Sequence, residues 1–275
     1  MAQELRTMPP SFPDFLISYP TSSIILITIN RPKSLNAFRV RDHLALDAIL
    51  NWFDTEASLI VAILTGYGST FCAGADLKEW KQKIDSGVSV IESLPPTGFG
   101  GLSRRASKKP IIAAVNGVCF GGGFEMVINA DLVIADEVAQ FALPEVKIGV
   151  VAIGGALTRL VRTVGKQRAM EICLTGRILI AGELKDWGIL NKVVKNGECV
   201  NEAIKMAQLI CKNSPDSVIC SKEGVNMGWQ GLSAEEGTNT LLKGTYARMD
   251  NGENMSEGVK SFFEKRDPIW SPSKL

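Results

Sequence analysis

Glu125 is flanked by Phe124, Met126, Val127 and Ile128, and Glu145 by Leu143, Val146 and Ile148. A carboxylate in such apolar company is costly unless it is paired or protonated, which is also the setting in which carboxyl groups serve as general acids and bases. Taken singly, each is as readily a cap or a member of a structural ion pair. Two further segments carry chemistry. Asn116-Gly117-Val118-Cys119-Phe120-Gly121-Gly122-Gly123-Phe124-Glu125 puts three glycines at a helix start, where unpaired N–H donors and the positive end of the helix dipole suit an anion or a developing oxyanion. In Phe71-Cys72-Ala73-Gly74-Ala75-Asp76-Leu77-Lys78, small residues let a ligand approach the backbone and Asp76 can cap the helix that follows. Alone, that segment is equally an ordinary strand-to-helix connection.

Other chemistries fit less well. His43 is the single histidine, so Ser-His and Cys-His nucleophile pairs have one residue to draw on. The stretch Arg41-Asp42-His43-Leu44-Ala45-Leu46 reads as placing it on the solvent side of a helix. The six cysteines are scattered without a C-x-x-C pair, which predicts reduced thiols and neither a metal site nor a disulfide framework. The glycines match neither G-x-G-x-x-G nor the phosphate loop, so a nicotinamide enzyme is disfavoured. With 30 Lys and Arg against 29 Asp and Glu, no strong field invites nucleic acid. Apolar runs such as Ile24-Ile25-Leu26-Ile27 are far shorter than the roughly 20 residues a membrane span needs, and the opening Met-Ala-Gln-Glu-Leu-Arg lacks the layout of a secretory signal.

The elements that must hold these residues alternate. Apolar runs at Ser23 to Asn30, Leu59 to Thr65, Pro110 to Asn116 and Asp131 to Ala135 read as strands, and Phe38 to Asp54, the stretch after Asp76 and Gly121 to Asn129 read as helices. This predicts an α/β layered core. From Thr158 onward the pattern turns helical, at Arg168 to Leu174, Ala181 to Trp187, Val200 to Lys212 and Ser233 to Met249. Leu94-Pro95-Pro96-Thr97-Gly98 with Gly100-Gly101 reads as a flexible surface insertion beside a substrate entrance.

Taken together, the three chemical segments resemble the enoyl-CoA hydratase/isomerase (crotonase) superfamily, from about Ile24 through Arg266. Asn30-Arg31-Pro32 with Asn36-Ala37-Phe38 is similar to its opening turn, and Asn116 to Glu125 to its signature. The resemblance implies a crotonase-like repeated ββα spiral core over residues 1–200, with 1–20 an N-terminal extension, a C-terminal helical lobe over 201–270 and a tail at 271–275. It implies an oxyanion hole made by the Ala75 and Gly122 amides, and Glu125 and Glu145 as the pair that adds or removes water across an enoyl-CoA double bond. Glu145 is then the proton donor to the α-carbon and Glu125 the water-positioning base.

The same resemblance places coenzyme A along Ala73, Asp76, Leu77 and Lys78, with Lys33 near its phosphates and Phe262 and Lys265 contributed from a C-terminal helix. It implies no cofactor beyond the CoA of the substrate and a homotrimer or dimer of trimers. Ile153, where many simple hydratases have glycine, points away from a straight-chain substrate, and Phe141 to Gly149 with Leu174-Thr175-Gly176-Arg177 looks closer to carnitinyl-CoA dehydratases. The end Ser273-Lys274-Leu275, after Pro272 in a flexible segment, reads as an address for the peroxisomal import receptor. Two other readings stand beside this one: a double-bond isomerase, and a non-catalytic acyl-CoA-binding protein.

Overall fold

The computed structural model describes residues 5–89 and 94–275; of the opening segment, residues 1–4 lie outside it. An antiparallel pair, β1 (Phe15–Thr21) and β2 (Ile24–Ile29), leads into α1 (Val40–Thr55). Three coils of one pattern follow. Each has a strand in a first sheet, a short strand in a second and then a helical turn: β3 (Val61–Gly66), β4 (Thr70–Cys72) and α2 (Leu77–Asp85); β5 (Ile111–Val115), β6 (Val118–Phe120) and α3 (Gly122–Asn129); β7 (Leu132–Asp136), β8 (Gln140–Ala142), a short helical turn Pro144–Ile148 and α4 (Ala156–Val164). The chain continues through α5 (Lys166–Thr175), β9 (Leu179–Ile180), α6 (Ala181–Asp186), β10 (Lys192–Val194), α7 (Cys199–Cys211), α8 (Pro215–Gln230), α9 (Ala234–Leu241), α10 (Ala247–Met249) and α11 (Glu253–Glu264). No helix among the described residues is long and apolar enough to cross a membrane.

The first sheet has the order β1-β2-β3-β5-β7-β10 and the second β4-β6-β8-β9. Their central strands are parallel, and both faces of the first are covered, which is why its strands read as continuous apolar runs rather than alternating ones. Ile25, Ile27, Leu64, Ala113 and Val133 pack toward α1 residues Leu46, Ile49, Leu50 and Phe53. Ile24, Val61, Ile63, Ile112, Ala114 and Ile134 face the other way, against Cys199, Ala203 and Ala207 of α7. Small residues one helical turn apart let α7 lie close on the sheet. Asp136 at the end of β7 fixes its start by accepting from the Gly197 and Cys199 amides, both at 2.9 Å.

Several expectations change here. All but the last residue of Phe15 to Thr21 falls within the stretch 1–20 read as an extension, yet it forms the edge strand of the first sheet. Most of α7 lies within the stretch 201–270 read as a C-terminal helical lobe, yet it closes the core. Gly100 and Gly101 are buried rather than part of a flexible insertion: a Cβ on Gly100 would meet the Met126 sulfur at 2.2 Å and one on Gly101 the Asp47 backbone at 2.5 Å. The C-terminal segment is held as well. Trp270 Nε1 donates to the Lys212 carbonyl at 2.8 Å, Asn254 and Ser271 exchange two hydrogen bonds, and Ser273 Oγ donates to Asp216.

The corners between the two sheets bring successive coils into backbone contact. A Cβ on Gly117 would lie 2.0 Å from the Ser69 carbonyl oxygen in the preceding coil, and within a coil one on Gly66 would lie 2.1 Å from that of Thr70. Asn116 ties these corners together: its Oδ1 accepts from the Gly66 amide at 3.2 Å while its Nδ2 donates to the Gly68 carbonyl at 2.7 Å. Asn36 does the same one coil earlier, donating to the Tyr67 and Thr70 carbonyls. Because a methyl group at Gly117 must push backbone rather than a side chain, Gly117→Ala is expected to lower stability by about 3 kcal/mol. Gly182→Ala, which meets nothing within 4 Å, is expected to stay within about 1 kcal/mol of the parent. Urea denaturation of both variants checks this, and equal midpoints for the two would refute the packing argument.

Candidate active site

The three short parallel strands end side by side. Cys72 is paired in register with Cys119, and Cys119 with Phe141, so the turns that follow them converge: Ala75 after β4, Gly122 after β6 and Glu145 after β8. A Cβ on Gly74 would lie 3.5 Å from the Gly122 nitrogen, which brings the two turns to van der Waals distance. The Ala75 and Gly122 amides have no acceptor among the described residues. At Gly122 this follows from its place in the first turn of α3. At Ala75 the parallel bridge to Phe38 uses the amide of Asp76 and the carbonyl of Gly74, leaving the amide between them free.

Each of the three glycines has a separate reason. Gly121 has a φ of 52°, and a Cβ there would stand 3.1 Å from Glu145 Oε1. One on Gly122 would strike the Phe99 ring at 2.2 Å, and one on Gly123 the Cys72 carbonyl oxygen at 2.4 Å. No residue with a Cβ fits at any of the three while the backbone keeps this course.

Both glutamates are buried beside these amides. Glu125, on α3, reaches across to the start of α4, where the Ala156 amide donates to its Oε2 at 3.0 Å. Burial raises its pKa, while the Ala156, Gly154 and Gly155 amides oppose that rise. Glu145 is less well supplied. Its Oε2 is the one buried side-chain polar atom with no hydrogen-bond partner among the described residues. Burial, with a further contribution from the charge of Glu125, pushes its pKa up to about 7 against the restraint of its own backbone amide.

These groups share a cavity of about 480 Å³. Lys33, Ala73, Asp76, Leu77 and Lys78 border it too, so most of the predicted contacts assemble around one opening. The Asp76 side chain is already engaged, accepting from the Lys78 amide at 3.2 Å as the cap of α2 and pairing with Arg31 at 3.2 Å. Phe262 and Lys265 do not reach this cavity; Phe262 is 79% exposed, edge-on to Phe263, at the end of α11. Ile153 is on the rim, 58% exposed. A larger cavity of about 820 Å³ lies between the sheet and α8, but its half-buried charges Lys222 and Asp131 satisfy each other at 2.7 Å. It offers no comparable set of free groups.

His43 corrects the sequence reading. It is 4% exposed, not on a solvent face, and it borders the smaller cavity. The spacing His43, Leu46, Leu50, Phe53 is the buried stripe of α1 and carried that signal. Arg31 was also missed as a positioning residue: it links Asp76 to Asp42 of α1, 3.3 Å away, and so pins the start of α2.

The chain matches the family model for enoyl-CoA hydratase/isomerase over residues 20–273. It is 48% identical to the mevalonyl-coenzyme A hydratase of Beauveria bassiana over 274 residues, covering 97% of this chain and 98% of that one. It is 38% identical to a carnitinyl-CoA dehydratase of Salmonella paratyphi A, covering 90% and 94%. Among solved structures, an enoyl-CoA hydratase from Mycobacterium tuberculosis superposes with a TM-score of 0.87 at 34% identity, covering 95% of this chain and all of that one.

The shifted carboxyl has a consequence for stability. A carboxyl whose folded-state pKa is raised contributes stability below its ordinary value near 4.5, and that contribution is lost as pH rises through about 7. Glu145→Gln, which cannot ionise, is therefore expected to gain stability over the parent at pH 8 relative to pH 5, as read by chemical denaturation. A difference independent of pH would rule out the burial of this group as described.

Proposed function

The chain belongs to the enoyl-CoA hydratase/isomerase family and is a hydro-lyase of acyl-CoA thioesters, and from that premise we propose that it interconverts mevalonyl-CoA and the methyl-branched enoyl-CoA formed by loss of its β-hydroxyl. One observation supports the mechanism above the rest: the residues of two free backbone amides border a single cavity with an unpartnered buried carboxyl and a clamped one. The 48% identity to mevalonyl-CoA hydratases over almost the whole chain supports this choice of substrate.

In the dehydrating direction the thioester oxygen accepts from the Ala75 and Gly122 amides, which stabilise the enolate as charge develops; such a donor is worth roughly 3 kcal/mol of barrier. Glu145, as carboxylate, takes the α-proton at its free Oε2. Glu125, protonated, gives its proton to the β-hydroxyl, so that the C–O bond breaks, water leaves and the double bond forms. Hydration runs the same steps in reverse, with Glu125 drawing the proton from water and Glu145 returning one to the α-carbon. Burial raises the pKa of both carboxyl groups, that of Glu145 to about 7, which makes each a better proton holder than a free carboxylate. Acid, base and oxyanion donors are all protein groups, and coenzyme A enters as part of the substrate, along Ala73, Asp76, Leu77 and Lys78 with Lys33 at the phosphate end.

Purified protein incubated with mevalonyl-CoA is expected to yield the enoyl-CoA with loss of water, and in oxygen-18 water the reverse reaction is expected to place the label on the β-carbon. Glu125→Gln and Glu145→Gln are each expected to lower kcat by about a hundredfold or more while leaving thioester binding largely intact. Near-normal rates in both variants, or a shifted double bond without label, would overturn the mechanism.

We also propose that Ser273-Lys274-Leu275 directs the protein to the peroxisome through its import receptor. The lysine of this tail is mostly exposed and pairs with an exposed Glu253 at 2.6 Å, a contact cheap for a receptor to displace, and the Ser273 hydroxyl must leave Asp216 as well. A reporter joined to the N-terminus is expected to become diffuse when residues 273–275 are removed; unchanged localisation would refute the address.

A further inference from the structure

His43 stands in the wall of the cavity with one ring nitrogen committed and the other free. Its Nδ1 accepts from the Gly100 amide at 2.9 Å. The ring is held edge-on to Phe99, centroids 4.4 Å apart, and tilted against Phe38 at 5.3 Å. Phe99 in turn lies directly over Gly122, so the imidazole is one aromatic ring removed from the amide that would hold the thioester oxygen. Burial keeps the imidazole neutral, with its pKa lowered to about 4. A neutral imidazole that accepts at Nδ1 carries its proton at Nε2. That Nε2–H has no acceptor among the described residues, and His43 itself borders the cavity.

A hydrocarbon tail seated here would leave this donor without a partner, at a cost that a hydroxyl group in the same place removes. Phe99, which the imidazole touches, and Leu94 and Val151, which line the same cavity, bring no side-chain acceptor of their own. A buried donor set among apolar side chains is how a site rejects a substrate that lacks the matching oxygen.

We propose that His43 is a specificity-determining residue that donates a hydrogen bond from Nε2 to a hydroxyl on the acyl chain, beyond the carbons that react. This rests on the mevalonyl-CoA reading, and it assigns the distal hydroxyl of that substrate, the one not lost as water, to His43.

The test compares kcat/KM for mevalonyl-CoA and for 3-hydroxy-3-methylpentanoyl-CoA, which lacks only that hydroxyl, in the parent, His43→Asn and His43→Gln. Asn keeps an acceptor for the Gly100 amide but is too short to reach the cavity, whereas Gln carries an amide nitrogen near the place of Nε2. The parent is expected to prefer mevalonyl-CoA by about a hundredfold, His43→Asn to reduce the preference to about threefold, and His43→Gln to retain much of it. The loss should fall on mevalonyl-CoA, with the deoxy thioester nearly unaffected. A parent that turns over both thioesters equally well, or a His43→Asn enzyme with its preference unchanged, overturns the assignment while leaving the hydratase reading intact. A parent that acts on neither overturns the substrate reading and this inference with it. The parent's own preference requires no variant to fold.

Discussion

The site depends on how closely successive coils of backbone can stack. β4, β6 and β8 are each only three residues long, yet they lie in parallel register, and the turns leaving them are what meet in the cavity. Such stacking is possible because the corners at Gly66 and Gly117 bring carbonyl oxygens into the space a methyl group would fill, and because Asn36 and Asn116 satisfy the backbone groups those corners expose. A buried polar backbone group without a partner is expensive, so the asparagines are as necessary to the corners as the glycines. Move one coil and the two free amides separate.

The two carboxyl groups illustrate what burial does when the partners differ. Glu125 meets the amides at the start of α4, where the helix dipole favours negative charge, and these offset part of its desolvation. Glu145 lacks such a partner for Oε2 and is pushed further toward its protonated form. A pair of acids with unequal environments can hold one proton between them and pass it in either direction. The same exclusion of water that raises these pKa values also strengthens the amides beside them, since both effects arise from the low local polarity.

Much of this was readable in the residues. The long strands of the first sheet, the glycine-rich helix start and the two glutamates in apolar surroundings each carry a pattern long or distinctive enough to identify, and the family resemblance joins Ala75 and Gly122 to them. What escaped did so for local reasons. A strand of three residues has no period to detect, so the second sheet was invisible even though it builds the site. Pro20 and exposed side chains along Phe15 to Thr21 mask an edge strand, which is where proline is tolerated. α8 holds Gly224 and Gly228, and α4 follows a run of glycines, so neither reads strongly as helix. Arg41 and Asp42, just before His43, point it toward solvent in the sequence. Asp42 is itself buried, held by Arg31 and Arg39, so its charge is no sign of a wet face.

The two unpaired amides are main-chain groups, and this shapes what mutation can do to the protein. Replacing a side chain at position 75 does not delete the donor there, so the capacity to stabilise an enolate is inherited with the coil geometry rather than with any one residue type. Carboxyl groups, the imidazole at 43 and the rim residue at 153 are different, because a single codon change alters each. Selection can therefore revise which bond breaks after the enolate forms, and on which acyl group, while the costly first step stays in place. A scaffold of this kind diversifies by editing the walls around a fixed reaction.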